Sequence, residues 1–475
     1  MTDETPTAAK IKSFPLRLTD PLITKGVWPC PEDRLGRAKE IENLSPVLLN
    51  VQAPLVFAID APWGGGKTTF IKLWETYFET QGQVSLHLNA WESDFAEDPL
   101  LPMLSVFNDW LLKENKEGVV GKAWSKAKDL APNILKNIFV AGVKVATLGV
   151  VDADKAVEAA IAGAAGDMTG NIVDSFNSKL SALTQFKIQL TETLKALPAD
   201  QPNLIIFIDE LDRCRPTYAI EVLERIKHLF DIDRIVFVLA INRDQLSKSI
   251  QGVYGANFDG EHYLKRFIDL EYQLHVPNRE PYINAQLQQS DLVTYFNARS
   301  EGSNDLNWII KTLCWLCGRF NYTFRDINQL ITRLRLIIKS IPSNHHLDPE
   351  ILCVMLFLRD KDEHLYRRYV DDASCTNEVI NFLLGGPVET QALPEAFSVV
   401  AGTLLESVRK DNSYNKQVNH WKNILEGMDK NDNCYSDIEQ LIGVAAYQGA
   451  RRHGGNIRKV VSERIDLLHQ ITITN

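Results

Sequence analysis

The stretch Val56-Phe-Ala-Ile-Asp60, continued by Ala61-Pro-Trp-Gly-Gly-Gly-Lys67-Thr68-Thr69, decides the fold of this 475-residue chain. Its apolar half predicts a buried strand at 54–60, and the run from Phe70 to Phe78 predicts a helix. The glycines between them let backbone N–H groups surround a polyphosphate, while the helix N-terminus adds a partial positive charge. A strand, a glycine-rich turn, Lys-Thr and a helix in this order are typical of phosphate-binding loops.

The loop departs from the G-x4-G-K-[ST] pattern only at its first position, which Ala61 occupies. Lys67 is predicted to contact the β- and γ-phosphates, and the Thr68 hydroxyl to coordinate Mg²⁺. The alternative is a glycine-rich turn that binds nothing, which Ala61 favours because the first glycine often has a backbone angle that other residues avoid. The candidate nucleotide contacts in the loop are Trp63, Gly64, Gly65, Gly66, Lys67, Thr68 and Thr69.

A second apolar run, Leu204-Ile-Ile-Phe-Ile208, predicts a strand buried on both faces, and Asp209 and Glu210 follow it directly. Ligands of open α/β sheets bind beyond the carboxyl ends of the strands. Asp209 is therefore a candidate Mg²⁺ ligand, and Glu210 is the candidate carboxylate that polarises the attacking water. The alternative is an acidic strand end exposed to solvent.

Three further side chains are candidates for the chemistry. Asn242 follows the next predicted strand, 234–241, where it could hold the γ-phosphate or the lytic water, or simply form a turn. Arg266 could stabilise transition-state charge as an arginine finger, with Lys265 as the alternative, or it could be a surface residue. Arg325, near the start of a predicted helix beyond the sheet, could reach the nucleotide from a lid.

The composition bounds the class of protein. A net charge of −10 and 45% hydrophobic residues indicate a globular protein without an overall nucleic-acid footprint, although a local basic groove is compatible with them. The seven cysteines are scattered and odd in number, which favours a reducing compartment. The polar, acidic start has no signal-peptide pattern, so we expect a cytoplasmic protein.

Taken in order, these elements resemble the KAP family of P-loop NTPases, an additional-strand group related to the AAA and STAND ATPases. The resemblance extends from about Asp20 to about Leu334, and its most specific parts are the strand end Asn-Ala-Trp and the string Asp-Glu-Leu-Asp-Arg-Cys. The motifs that carry it are Leu35-Gly-Arg37, Trp63-Gly-Gly-Gly-Lys67-Thr68, Asn89-Ala-Trp91, Asp209-Glu-Leu-Asp-Arg-Cys214, and Tyr263-Leu264 before Phe267.

The resemblance implies an α/β fold in which an additional strand lies between the two Walker strands, a place that Val84–Asn89 would fill. It also implies that Leu35 to Arg37 lie near the base and ribose, and that Asp212 and Arg213 shape the active site. The predicted organisation is a flexible leader at 1–19, a P-loop NTPase core at 20–276 with a largely helical insert at 118–197, a helical lid at 277–340 and a helical C-terminal domain at 341–475.

The resemblance further implies Mg²⁺-dependent hydrolysis of ATP, or of another NTP, that drives a conformational switch or an assembly. Family members occur in bacterial gene neighbourhoods concerned with defence against phages and plasmids, which implies a role of that kind. An arginine finger from a neighbouring subunit would require a homo-oligomer or a protein partner. Two alternatives stay open: a nucleotide-gated binding module with negligible turnover, and an ATPase stimulated by nucleic acid through the basic residues Arg451-Arg-His453 and Arg458-Lys459.

The insert decides the question of a membrane span, because family members often carry a transmembrane hairpin between the Walker motifs. The apolar run Ile138–Val151 is too short to cross a bilayer, which takes about 20 residues, and Lys144 divides it. A preceding lysine-rich helix that contains Trp124 could lie on an anionic membrane surface, or it could pack by its apolar stripe with the lysines in water. Its lysines are Lys122, Lys126, Lys128 and Lys136.

Overall fold

The computed structural model describes residues 23–113, 119–135, 168–198, 201, 203–275, 278–290, 292–293, 305–340, 348–386, 393–446 and 457–469. The described residues form two compact units: the first comprises those from 23 to 275, and the second comprises those from 278 onward. The finer domain boundaries given above stay predictions. Three predicted features lie outside the described residues: the leader at 1–19, the run Lys136 to Val151, and Arg451 to His453.

The first unit is built on a parallel sheet, as predicted. In the described residues the sheet has five strands in the order β2-β3-β4-β1-β5, and all neighbouring pairs are parallel. The strands β3 and β4 are buried at every position, which explains their continuous apolar sequences. The strands are β1 (Leu55–Asp60), β2 (Ser85–Asn89), β3 (Leu204–Asp209), β4 (Ile235–Ile241) and β5 (Leu270–Gln273).

The additional strand between the two Walker strands is present, but it is β4 rather than β2. The assignment of Val84–Asn89 to that place is therefore wrong. The strand β2 pairs with β3 on its other side, with Asn89 opposite Asp209. Its residues alternate between half-buried and buried, whereas β4 is apolar and fully buried. Alternation suits an edge strand and a continuous apolar run suits a central one, which accounts for the two positions.

The edge strand β5 was not predicted from the sequence. It is four residues long, mostly exposed, and pairs with β1 so that Leu270 lies opposite Phe57. A short strand with exposed polar residues has neither an apolar run nor a clear alternation, so its sequence carries no strand signal.

Helices cover both faces of the sheet. Alternate strand residues point to opposite faces, so Phe57 and Phe207 join a core with Trp74, while Phe237 joins a separate core with Phe107 and Phe230. The helices of this unit are α1 (Ala38–Asn50), α2 (Lys67–Thr80), α3 (Leu100–Lys113), α4 (Val119–Leu135), α5 (Met168–Thr193), α6 (Pro216–Leu229), α7 (Arg243–Tyr254) and α8 (Gly260–Leu264).

The lysine-rich helix α4 packs by its apolar stripe. Trp124 is buried, its ring lies 5.9 Å from that of Phe107, and its Nε1 donates to Asn108 Oδ1 at 3.1 Å. The described lysines of this helix are exposed. In the described part of the chain, no helix is long and apolar enough to cross a membrane.

Every element described beyond residue 277 is helical. Arg458, one of the basic residues proposed to bind nucleic acid, is buried and donates to the Tyr369 carbonyl at 2.6 Å, so it does not belong to a basic surface. The helices are α9 (Glu280–Gln289), α10 (Asp305–Arg319), α11 (Phe324–Ser340), α12 (Pro349–Lys361), α13 (Glu363–Asp371), α14 (Thr376–Leu384), α15 (Phe397–Glu406), α16 (Tyr414–Gly427), α17 (Tyr435–Ala446) and α18 (Ile457–His469), with a short 3₁₀ turn at Ala373–Cys375.

Candidate functional site

The carboxyl ends of four strands lie in one row at one edge of the sheet. Asn89 is opposite Asp209, Asp209 is opposite Ala240, and Ile241 is opposite Asp60. The phosphate-loop candidate follows Asp60 directly, so the loop and the Asp209 carboxylate belong to the same edge. This is where parallel α/β sheets bind their ligands.

The three consecutive glycines of the loop each meet a geometric demand. Gly64 and Gly66 have φ of 76° and 88°, in the left-handed region that favours glycine. A Cβ on Gly65 would lie 2.9 Å from the Pro62 carbonyl oxygen and 3.1 Å from Ala61 Cβ. The loop therefore closes tightly on itself at Gly65, and residues 64–66 form a glycine cradle whose backbone other residues would strain.

Ala61 fits its position without strain. It does not have a positive φ, and its side chain is buried. Its N–H donates to the Ile241 carbonyl at 3.2 Å, which joins the loop to the neighbouring strand β4. The first position of this loop therefore does not need glycine, and Ala61 is compatible with a phosphate-binding loop.

Lys67 is buried at the centre of the loop, with only 8% of its surface exposed. Its Nζ donates to the Ala61 carbonyl at 2.7 Å and lies 3.9 Å from Asp212 Oδ2. Burial lowers the pKa of Lys67, and the nearby carboxylates of Asp212, Asp209 and Asp60 act in the opposite direction. Lys67 is thus a buried ammonium whose present partners are a carbonyl oxygen and nearby carboxylates. A bound phosphate can replace these partners, because it is also an oxygen acceptor with negative charge.

Thr68 and Thr69 lie in the first turn of α2, half-buried. The hydroxyl of Thr68 has no hydrogen-bond partner among the described residues. Trp63, at the tip of the loop, is 43% exposed, and its Nε1 donates to Asp212 Oδ2 at 2.5 Å. This bond ties the loop to the segment that follows β3.

Asp209 and Glu210 differ in their surroundings. Asp209 is buried, and its Oδ1 accepts a hydrogen bond from the Glu210 backbone N–H at 2.8 Å. Glu210 has a left-handed backbone, with φ of 62°. Its Oε2 accepts from Asn89 Nδ2 at 3.2 Å, and its Oε1 forms an ion pair of 2.6 Å with Arg213.

The contact of Asn89 with Glu210 was not predicted as part of the site. Its sequence signal is a polar residue at the end of the β2 strand, the same signal that marked Asp209 at the end of β3. The Asn89 Oδ1 also accepts from the backbone N–H groups of Trp91 and Glu92, at 3.1 and 3.2 Å. Asn89 therefore orients both the turn after β2 and the candidate catalytic carboxylate.

Asn242 caps the helix α7. Its side-chain oxygen accepts from the Gln245 backbone N–H at 3.2 Å, and Asp60 Oδ1 accepts from the Arg243 N–H at 2.8 Å. The structure thus supports the local, turn-forming interpretation of Asn242, and its contact with the γ-phosphate or lytic water stays a prediction.

Arg37 is a buried cation. It donates to Glu40 and to the His275 carbonyl, both at 2.6 Å, and its guanidinium lies 5.7 Å from the centre of the Phe70 ring. These contacts join the start of α1 to the chain after β5 and to α2. The proximity of Arg37 to the base stays a prediction.

Arg266 and Lys265 follow α8 and are exposed. The Arg266 guanidinium lies 5.9 Å from the Tyr263 ring, and none of the carboxylates that the structure describes pairs with it. Arg325 lies in the first turn of α11, in the second unit. The roles of these three cations at the nucleotide stay predictions.

The donor set fits Mg²⁺ bound together with a polyphosphate. Mg²⁺ prefers oxygen ligands and is usually held by one or two protein groups plus phosphates and water. The Asp209 carboxylate and the Thr68 hydroxyl offer oxygen atoms of this kind, and their binding of Mg²⁺ stays a prediction. The described residues contain no cluster of three or more metal-binding side chains that would hold a cation without a phosphate.

The chain is similar to known proteins. The model of the KAP family P-loop domain matches residues 37–341, which is more than half of the chain. The phage T7 exclusion protein of Escherichia coli (strain K12) is 24% identical over 255 residues. That match covers 52% of this chain and 34% of the relative, so the chain corresponds to about a third of the relative's length.

A solved structure is also similar, at a low score. It is the AMPPCP-bound DnaA of Aquifex aeolicus, with 12% sequence identity and a TM-score of 0.27, over 92% of this chain and 93% of that chain.

Proposed function

Because the chain belongs to the KAP family of P-loop NTPases, we propose that it is a cytoplasmic, Mg²⁺-dependent ATPase whose hydrolysis drives a conformational switch or an assembly step. The observation that carries this proposal is the position of Lys67. Its buried ammonium donates to the Ala61 carbonyl of the loop and lies 3.9 Å from Asp212 Oδ2, in the segment that follows β3. One short segment thus supplies the phosphate cradle and the cation, and the adjacent strand end supplies the carboxylates.

In this proposal the residues of the chain have separate tasks. Lys67 and the backbone N–H groups from Gly64 to Thr68 bind the β- and γ-phosphates. Asp209 and the Thr68 hydroxyl would hold Mg²⁺, which when bound neutralises charge on the phosphates. Glu210 accepts the proton of the attacking water.

Three more side chains have proposed tasks around this centre. Asn242 orients the water or the γ-phosphate, and Arg266 of a neighbouring subunit offsets charge in the transition state. Arg325 would contact the nucleotide from the helical lid. The exposure of Arg266, without a carboxylate partner among the described residues, supports a contact made in trans.

Hydrolysis is proposed to change the state of the protein rather than to transform a metabolite. A role in defence against phages or plasmids is supported by the name of one relative, a phage T7 exclusion protein, and by the family. Because the chain corresponds to only a third of that relative, the activity of the whole relative is not transferred.

Phosphate release from ATP by the purified chain, with Mg²⁺ and with EDTA, tests the proposal. Lys67→Met should abolish nucleotide binding and turnover, because it removes the phosphate-binding cation. Asp209→Asn should keep the fold and lose Mg²⁺-dependent turnover by at least about a hundredfold, the loss seen when an electrostatic contact to the transition state is removed. Equal rates in the wild-type protein and in both variants would refute the assignment of the site.

A nucleotide-gated binding module is the second candidate, and one observation favours it. Both carboxylate oxygens of Glu210 face protein donors, so the candidate base is engaged in this conformation. Such a module would bind ATP tightly and release phosphate at the same low rate in the wild-type protein and in Glu210→Gln. A third candidate, an ATPase stimulated by nucleic acid, requires salt-dependent binding to a DNA or RNA fragment.

A further inference from the structure

Resting on the proposed function, we propose that Arg213 and Trp91 are positioning residues that withhold Glu210 from the attacking water. In this proposal a movement of the exposed Trp91 ring shifts Arg213, and Glu210 is then free to contact the water. Neither residue contacts the reacting atoms in this role, because both act through the Glu210 carboxylate.

The orientation of Glu210 is the first step. Its φ of 62° lies in a region that non-glycine residues seldom adopt, so the surrounding contacts must maintain it. A general base has to present an oxygen to the proton that it accepts. Here Oε1 faces the Arg213 guanidinium at 2.6 Å and Oε2 faces the Asn89 amide at 3.2 Å.

Of the two side chains that bind the Glu210 carboxylate, Arg213 binds it more strongly than Asn89. The ion pair is short and partly buried, with 28% of the Arg213 side chain and 13% of the Glu210 side chain exposed. An ion pair of 2.6 Å between two charged groups is stronger than the bond of 3.2 Å that the neutral Asn89 amide donates to the same carboxylate. Release of Glu210 therefore depends mainly on movement of Arg213.

Trp91 contacts both Arg213 and Asn89. Its ring lies under the Arg213 guanidinium, at 5.5 Å from ring centre to Cζ, a geometry of cation–π attraction. Its backbone N–H donates to Asn89 Oδ1 at 3.1 Å. Since 52% of Trp91 is exposed, a movement of this residue can begin at the surface and reach both Arg213 and Asn89.

The test compares the steady-state ATPase of Trp91→Ser and Arg213→Gln with the wild-type chain. We expect kcat to rise about twofold to fivefold in Trp91→Ser, the effect of removing one partly exposed cation–π contact, and at least as much in Arg213→Gln, with KM unchanged within about twofold. Trp91→Phe keeps an aromatic face and should restore the wild-type rate. The double variant Trp91→Ser/Arg213→Gln should match the faster single variant, because both changes act along one path.

Controls separate this inference from a change in fold and from the proposed function. Phe95→Ser changes a residue of the same turn that is 89% exposed, and it should leave kcat unchanged. Glu210→Gln should abolish turnover in every background, and turnover that survives it would refute the proposed function instead. An unchanged or lower kcat in both Trp91→Ser and Arg213→Gln, with normal thermal unfolding, would overturn the inference.

Discussion

The indole of Trp63 and the carboxylate of Asp212 join the two halves of the site, with Nε1 donating to Oδ2 at 2.5 Å. The same Asp212 oxygen lies 3.9 Å from Lys67 Nζ, so one buried carboxylate holds the loop tip and the loop cation together. Both contacts cross from the phosphate loop to the segment after β3. The conformation of the loop is therefore maintained by a residue outside the loop motif.

Replacing Trp63 tests this link. Trp63→Phe keeps an aromatic ring but removes the donor to Asp212, and we expect ATP affinity to fall about threefold to tenfold, the effect of losing a partly exposed hydrogen bond worth about 1 kcal/mol. Nucleotide titration monitored by calorimetry measures it. Trp91 is another exposed tryptophan at this end of the sheet, so Trp91→Phe is the matched control and should leave the ATP affinity unchanged. Equal affinities in the wild-type protein and in Trp63→Phe would show that the link does not organise the loop.

The middle glycine of the loop gives a second prediction. In Gly65→Ala the new Cβ would approach the Pro62 carbonyl oxygen to 2.9 Å, so the loop must shift and the phosphate cradle must change shape. We expect nucleotide affinity to fall at least about tenfold with little loss of thermal stability. Gly252→Ala in α7 is the control, because its Cβ would meet nothing within 4 Å and alanine favours a helix by about 0.5–1 kcal/mol. An unchanged affinity in Gly65→Ala would contradict the proposed cradle.

At Ala61, in contrast to Gly65, we predict that a substitution leaves nucleotide binding unchanged. Since its backbone angle is not one that needs glycine, Ala61→Gly restores the family pattern without improving the site. We expect unchanged nucleotide affinity and a loss of about 1 kcal/mol in the free energy of unfolding, from the greater freedom of glycine in the unfolded chain and the lost buried methyl group. Tighter binding by Ala61→Gly, measured by titration, would mean that alanine distorts the loop.

The pair of His87 and Glu75 gives a pH-dependent prediction. Burial acts to lower the pKa of His87, but the hydrogen bond to Glu75 at 3.1 Å and the charge of Glu75 outweigh it, so the pKa is raised. The folded protein thus holds this proton more tightly than the unfolded chain. The resulting stabilisation is complete below about pH 6.5, the unfolded pKa, and is lost as pH rises through the raised folded pKa.

Urea unfolding of wild type and His87→Gln at several pH values measures this effect. The difference in stability between the two proteins should shrink by less than about 1 kcal/mol from pH 6 to pH 8, because both side chains are partly exposed. A difference that grows with pH would reverse the sign of the proposed interaction.

Much of the core could be predicted because its signals are local. The strands β1, β3 and β4 are continuous apolar runs, and each was placed to within about one residue. The order of the strands is not a local property, so β2 was assigned to the place that β4 occupies. The strand β5 is short and exposed, and its pairing with β1 depends on the sheet rather than on its own residues.

The candidate site shows the same division. The glycines, Lys67 and Asp209 follow from strand ends and a loop motif, which the sequence displays directly. The bonds of Trp63 to Asp212 and of Asn89 to Glu210 join residues more than a hundred positions apart, so only the folded chain reveals them. Asn242 shows how one residue type serves two purposes, since a strand-end polar group can equally cap the next helix.

Phosphate release from Mg²⁺–ATP by Glu210→Gln, measured beside its ATP affinity, tests the central claim most directly. We predict that the variant binds ATP as well as the wild-type chain does, because the loop, Lys67 and Asp209 are intact, and that phosphate release falls at least about a hundredfold. Equal phosphate release by the two proteins, at equal ATP affinity, would contradict the account, because Glu210 would then not be the catalytic base.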